Sequence, residues 1–171
     1  MEESNQHLLA NIKARTRMIL LYHYAKNLKG LVCGASNKSE LLTGYYTKYG
    51  DGGVDLQPIG DLYKTQIYKL ASYLKIPRAI AAKPPSAGLL EDQTDEAELG
   101  MKYSILDKIL FGLEQKILPD IIAKDLKISL NEVQRIQTLR KNSQHKRRLP
   151  LIPKIGLRTP GFDWRVPIQE G

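Results

Sequence analysis

Three consecutive segments limit what this chain can fold into. "LVCGA", Leu31 to Ala35, is an apolar run too short for a helix and reads as a buried strand. Ser36 and Asn37 stand where a helix cap belongs, ahead of a helix running to about Tyr49. "VDLQPIGDL" then supplies a second strand, from about Val54 to Ile59. Strand, helix and strand within about thirty residues make a βαβ unit, with parallel strands and a right-handed crossover. The fold class is therefore α/β, a partial Rossmann-like parallel sheet with helices. A doubly wound sheet usually has about four strands or more. The sheet is thus expected to be incomplete at its N-terminal side, with preceding chain or a partner to complete it.

The flanking text is helical. From Leu8 to Leu28, Leu8, Ile12, Ile19 and Tyr22 share a face, with Ala14, Met18, Leu21, Ala25 and Leu28 beside it and Gly30 as the stop. Ile67, Leu70, Ala71 and Leu74 give a further helix that ends before Pro77. "KPPSAGLLEDQTDEAELG", Lys83 to Gly100, is rich in turn formers and acids, long enough for a mobile lid or a disordered acidic loop. Two helices follow, about Tyr103 to Leu118 and Leu130 to Ser143, the second opened by a Ser129–Glu132 capping box. Core residues run from 8 to 149, and 150–171 reads as an irregular tail.

With 171 residues the chain suits one ordinary domain. Its net charge of +8 favours anionic partners, and the charge is uneven. The stretch from Arg140 to Lys154 is basic without an acid, whereas Leu89 to Gly100 holds five acids and no Lys or Arg. The single cysteine, Cys33, sits in the apolar run and reads as a small core residue, in keeping with a reducing, cytoplasmic setting. No run approaches the roughly 18 apolar residues of a membrane span, and the first residues carry no secretory pattern.

The polar residues at the strand ends carry the chemistry. Glu40 opens the helix after the first strand, at the crevice where α/β sheets bind ligands. A carboxylate there holds Mg²⁺ beside a triphosphate, or else closes a capping box with Asn37. Lys64, at the next helix start, is either a phosphate contact or a solvated lysine. "TGYYTKYGDGG", Thr43 to Gly53, sets Lys48 and Asp51 beside glycines that let a backbone approach a ligand closely. "SQHKRRLP" places His145 and Lys146 at a helix end, as an anion clamp or as complements to the helix dipole. "IIAKDLKISLNEVQRIQ" has the spacing of a helix-turn-helix, without the usual turn glycine.

In order, "NIKARTRMILLY", "GASNKSELLTGYYTKYGDGGVDLQPIGDLYKTQ", "KPPSAGLLEDQTDEAELG" and "HKRRLPLIP" resemble the C-terminal half of ammonia-dependent NAD⁺ synthetases. The likeness runs from about Asn11 to Pro153 and identifies residues 1–171 as the C-terminal half of one such domain, of adenine nucleotide alpha hydrolase type. It implies a carbon–nitrogen ligase of NAD⁺ biosynthesis. ATP adenylates deamido-NAD⁺, releasing pyrophosphate, and ammonia then displaces AMP. By the same resemblance Glu40 is a Mg²⁺ ligand, and Ala35, Lys64 and Ser86 lie at the ATP site. Arg15, Tyr22, Lys48, Asp55, His145 and Lys146 contact deamido-NAD⁺, Tyr22 across a homodimer interface. Asp51 is the acid near the incoming ammonia. The family's C-terminal helices occur without DNA binding, which counts against nucleic acid as a partner.

Two departures stand out. Ala35 takes the place of a threonine, and Ser86 that of another. The family's Ser-Gly-Gly-x-Asp-Ser phosphate loop does not occur in this sequence. The expectation is therefore little synthetase activity from this polypeptide alone, as a fragment, truncated product or split subunit lacking an N-terminal half. The alternative is a non-catalytic, dimerising nucleotide-binding remnant.

Overall fold

The computed structural model describes residues 2–90, 92–157 and 159. The chain opens with a long helix α1, Glu2–Leu28. Its inner side is made of small residues, with Ala10 and Ala14 buried and Met18 and Ala25 half-buried. The Leu8, Ile12, Ile19 and Tyr22 face is 36–62% exposed. The helix ends where Lys29 turns to φ 53° and the Gly30 amide reaches back to the Ala25 carbonyl at 2.8 Å.

The expected strands pair, but briefly. A single parallel bridge joins Cys33 to Leu56, flanked by Gly34 N–H to Leu56 O (2.8 Å) and Asp55 N–H to Val32 O (2.9 Å). No longer strand is formed among the described residues. Burial alternates along the first segment: Val32 and Gly34 face inward, Leu31 and Cys33 outward. This corrects the reading of Cys33 as a core residue. A strand covered on one face buries every second side chain, and Cys33 has the odd register.

Helix α2 spans Lys38–Thr43, shorter than expected, because Gly44 ends it in the left-handed region at φ 74°. Then come α3, Lys64–Tyr73, α4, Arg78–Ala81, and α5, Asp95–Leu99. The last of these lies inside the segment expected to be all loop. The helix expected to reach Leu118 stops at Glu114. Lys116 at φ 59° ends it as α6, Tyr103–Glu114, and a separate helix α7, Pro119–Leu126, follows. Helix α8, Leu130–Asn142, starts at the expected Ser129–Glu132 box and runs into a 3₁₀ turn, Ser143–Lys146. The helix-turn-helix spacing thus corresponds to a real α7–α8 pair. Lys127 at φ 55° occupies the turn, and Ala123, Val133 and Ile136 are spent on the core rather than on a groove-reading face. Most of the tail beyond Leu157 lies outside the described residues.

The core centres on α6. Tyr103, Leu106, Ile109 and Leu110 are at most 1% exposed and pack with Ile122, Val133 and Ile136. One buried carboxylate in that helix ties α2 and α3 to it. Asp107 accepts the Ser39 hydroxyl at 2.5 Å and the Thr65 amide at 2.8 Å, while Ser39 Oγ accepts the Lys64 amide at 3.0 Å. The first turns of α2 and α3 are thereby fixed side by side.

Candidate functional site

That arrangement sets Glu40 and Lys64 against each other. The Glu40 carboxylate accepts the Asn37 amide at 3.0 Å through Oε2, and Lys64 Nζ donates to Oε1 at 3.3 Å. Asn37 Oδ1 in turn accepts the Glu40 amide at 3.0 Å. The two readings of Glu40, cap and ligand, are therefore not exclusive. One oxygen caps the helix and the other faces a cation. Burial pushes the Glu40 carboxyl above its usual range, opposed by the Asn37 amide and Lys64.

Both residues open onto a cleft of about 580 Å³ between α1, the bridged segments and the 83–90 loop. Ala35, Asp51 and Ser86 also line it. Five of the eleven residues singled out in the sequence thus share one wall system. Asp51 is exposed, and its Oδ1 accepts the Thr47 amide at 2.9 Å, which holds the glycine turn in shape.

The remaining six form smaller groups. Arg15 Nε donates to the Lys48 carbonyl at 3.3 Å, joining α1 to the turn. The Tyr22 hydroxyl donates to Asp55 Oδ1 at 3.1 Å, and Asp55 Oδ2 accepts the Val32 amide at 2.7 Å. Lys146 Nζ donates to the carbonyls of Gly44 and Tyr46, at 2.6 and 2.7 Å, and lies 5.3 Å from the Tyr46 ring centre. Burial lowers the Lys146 pKa, and Asp51 partly restores it. Lys146 is thus a brace for the turn that carries Lys48. His145 is exposed on the 3₁₀ turn.

Several residues were not singled out by sequence. Arg17 lines the cleft and donates to the Gly88 carbonyl at 3.2 Å. Lys13, one turn earlier, donates to the Leu89 carbonyl at 3.0 Å. Asp95, at the start of α5, is only 4% exposed and also lines the cleft. Its Oδ2 accepts the Tyr103 hydroxyl at 3.0 Å, and its Oδ1 has no partner among the described residues. Nothing in "EDQTDEAELG" distinguishes Asp95, which tertiary packing buries, from Asp92, Glu96 and Glu98, which stay exposed or half-exposed.

A divalent cation is compatible with this wall. No set of three metal-ligating side chains occurs among the described residues. Mg²⁺, however, commonly takes about one or two carboxylates and fills its shell with phosphate and water oxygens. Glu40, with an oxygen facing the cleft, meets that requirement.

The model of the NAD synthase family matches residues 1–150. The chain belongs to that family. An NH(3)-dependent NAD(+) synthetase of Sulfurisphaera tokodaii is 48% identical over 98% of this chain and 61% of its own length. One of Pyrococcus horikoshii is 53% identical over 86% of this chain and 58% of its own. Among solved structures, NMN synthetase from Francisella tularensis superposes with a TM-score of 0.74 at 38% identity, covering 86% of this chain and 57% of that one. The NH3-dependent NAD synthetase from Campylobacter jejuni gives 0.65 at 33%, over 84% and 54%. These neighbours share an α/β architecture of the adenine nucleotide alpha hydrolase kind. The chain spans about 60% of the length of the curated relatives it matches. No helix among the described residues is long and apolar enough to cross a membrane.

Proposed function

We propose that this chain supplies the α2–α3 side of an ammonia-dependent NAD⁺ synthetase site, in which ATP and Mg²⁺ activate the carboxylate of deamido-NAD⁺ for amidation. The observation that carries the reading is the Glu40–Lys64 pair held at one cleft by Asp107. A half-buried carboxylate and an ammonium at adjacent helix starts suit a metal-bound polyphosphate. Glu40 would hold Mg²⁺ there, and the ion would supply charge neutralisation for a departing pyrophosphate.

The chain's own residues then have distinct tasks. Lys64 lies at a helix N-terminus and meets phosphate oxygens with its free N–H groups. Ala35 and Ser86 border the nucleotide. Ala35 leaves an apolar contact where a hydroxyl would add one hydrogen bond, a difference of about 1 kcal/mol. Arg15, Lys48, Asp55 and Tyr22 make a charged rim for the dinucleotide, with His145 as a further contact and Lys146 holding the Lys48 turn. Asp51, exposed at the cleft, accepts hydrogen bonds from incoming ammonia. A second copy packs along the exposed α1 face, which places Tyr22 at the seam.

The name of the Francisella neighbour raises a second reading, a mononucleotide product in place of a dinucleotide. The curated relatives, at 48% and 53% identity, favour the dinucleotide. Calorimetry with Mg·ATP, then deamido-NAD⁺ or nicotinate mononucleotide, separates the two, with sedimentation reporting the dimer. Tighter binding of deamido-NAD⁺, weakened at least tenfold in Lys48→Ala, is the expected result. Failure of Mg·ATP to bind at all, or indifference of Mg·ATP binding to Lys64→Met, would count against the cleft assignment. Mixing with a separately produced N-terminal half of a relative reads catalysis directly. Restored NAD⁺ formation supports the ligase reading over a non-catalytic remnant.

A further inference from the structure

Asp95 presents a contradiction. It is nine-tenths buried, yet one carboxylate oxygen has no hydrogen-bond partner among the described residues. The Tyr45 hydroxyl lies beside it, but its one proton is committed to Glu98 Oε2 at 2.6 Å. An orphaned buried acceptor costs about 1–3 kcal/mol and is rare in native proteins. Such an oxygen is explained when a second state of the molecule supplies its donor.

A candidate donor across the cleft is Lys64. Its ammonium lies 5.5 Å from the centre of the Tyr103 ring, and the hydroxyl of that same ring donates to Asp95 Oδ2 at 3.0 Å. Lys64 and Asp95 line one cleft and are within electrostatic reach of each other, as are Asp95 and Glu40. Lys64 is instead spent on Glu40 at 3.3 Å. Two carboxylates therefore share one ammonium, and Glu40 holds it.

We propose that Asp95 is the positioning residue that receives the Lys64 ammonium when a divalent cation takes Glu40. The inference rests on the assignment of Glu40 as the metal contact and goes beyond it. The exchange balances charge. Before it, the Glu40–Lys64 pair is neutral and Asp95 is uncompensated. After it, the cation sits on Glu40 and Lys64 pairs with Asp95. The set then carries one net positive charge, facing an anionic polyphosphate. An ammonium has three N–H donors, so one bond to Asp95 leaves two for phosphate oxygens. Without Asp95, a cation on Glu40 would strand Lys64 beside it, a like-charge contact in a partly buried place.

The test uses the intact chain with Mn²⁺ as the metal probe. A crystal structure with Mn²⁺ and ATP is expected to show manganese on the Glu40 carboxylate and Lys64 Nζ within hydrogen-bond distance of Asp95 Oδ1. Manganese bound directly to Asp95 would overturn the proposal, as would Lys64 on phosphate with Asp95 Oδ1 still unpaired. Manganese away from Glu40 would overturn both this proposal and the metal assignment, whereas the two preceding outcomes leave that assignment standing. In solution, Asp95→Asn is expected to weaken Mn²⁺ binding about tenfold, and only about threefold or less in a Lys64→Met background, the coupling expected of residues that act as a pair. An equal loss in both backgrounds would show that Asp95 does not act through Lys64. Should Asp95→Asn fail to fold, the crystal structure of the unaltered protein still decides.

Discussion

At the residue scale, Glu40 shows how one side chain can cap a helix and still meet a cation. Its Oε2 is fixed by the cap, which leaves Oε1 to Lys64 without loss of the helix start. The burial that makes this possible has a consequence for pH. Glu40 and Asp95 are both held above their ordinary values, near 4.5 and 3.8, chiefly by desolvation. A carboxyl raised in the folded state binds its proton more tightly there than in the unfolded chain. Its contribution therefore favours folding at low pH and is lost as pH rises from the unfolded value through the folded one. Glu114 works in the opposite sense. The Tyr63 hydroxyl and Lys38 hold it low, so its stabilisation disappears only as pH falls below about 4.5. Above that point the raised pair dominates these shifts. Urea midpoints measured from pH 4.5 upward should decline and then level off, and Glu40→Gln should flatten part of the slope. An unchanged slope in Glu40→Gln would show that Glu40 does not carry it.

At the element scale, what was legible in the sequence was local. The Asn37–Glu40 and Ser129–Glu132 boxes lie within one helical turn, and both form as read. What was not legible depended on contacts distant in sequence. Cys33 is exposed because only one face of its segment is covered, and α6 stops early because Lys116 turns left-handed. Asp95 is buried by Tyr103 and by the cleft, neither of which is encoded in its own loop. The pieces of the site could be named, but their pairing could not. Arg15 meets the Lys48 carbonyl 33 residues away, and Lys146 meets that of Gly44 across 102. Gly44 gives this scale a test. Its φ of 74° suits glycine, and an added Cβ would lie 2.2 Å from Ser143 Cβ. Gly44→Ala should lose about 2–4 kcal/mol, from left-handed strain and overpacking together. The same change should loosen the Lys146 brace, since that lysine donates to the Gly44 carbonyl. Denaturant unfolding measures the first effect, and a wild-type midpoint would refute the packing argument.

At the scale of the whole molecule, the cleft is bounded by elements that few contacts tie together. Its floor is rigid, because Asp107 locks α2 and α3 to the core helix α6. Its outer wall is the 83–90 loop, mostly exposed and stiffened at Pro84 and Pro85. Two points of α1 hold the tip of that loop. Lys13 donates to the Leu89 carbonyl and Arg17 to that of Gly88, on successive helical turns. At the far end the Asp95 amide donates to the Pro85 carbonyl at 3.0 Å, so loop position and α5 position are coupled. Both α1 cations are exposed, and each bond is worth only about 0.5–1.5 kcal/mol. The loop is therefore a wall that opens at small cost. Replacing Lys13 and Arg17 together by alanine should raise amide exchange across 86–90 about threefold to tenfold, while the α6 amides stay protected. Mg·ATP should slow exchange in the same segment of the unaltered chain. If the double variant exchanges no faster than the parent, α1 does not restrain the loop and its closure must depend on α5 alone.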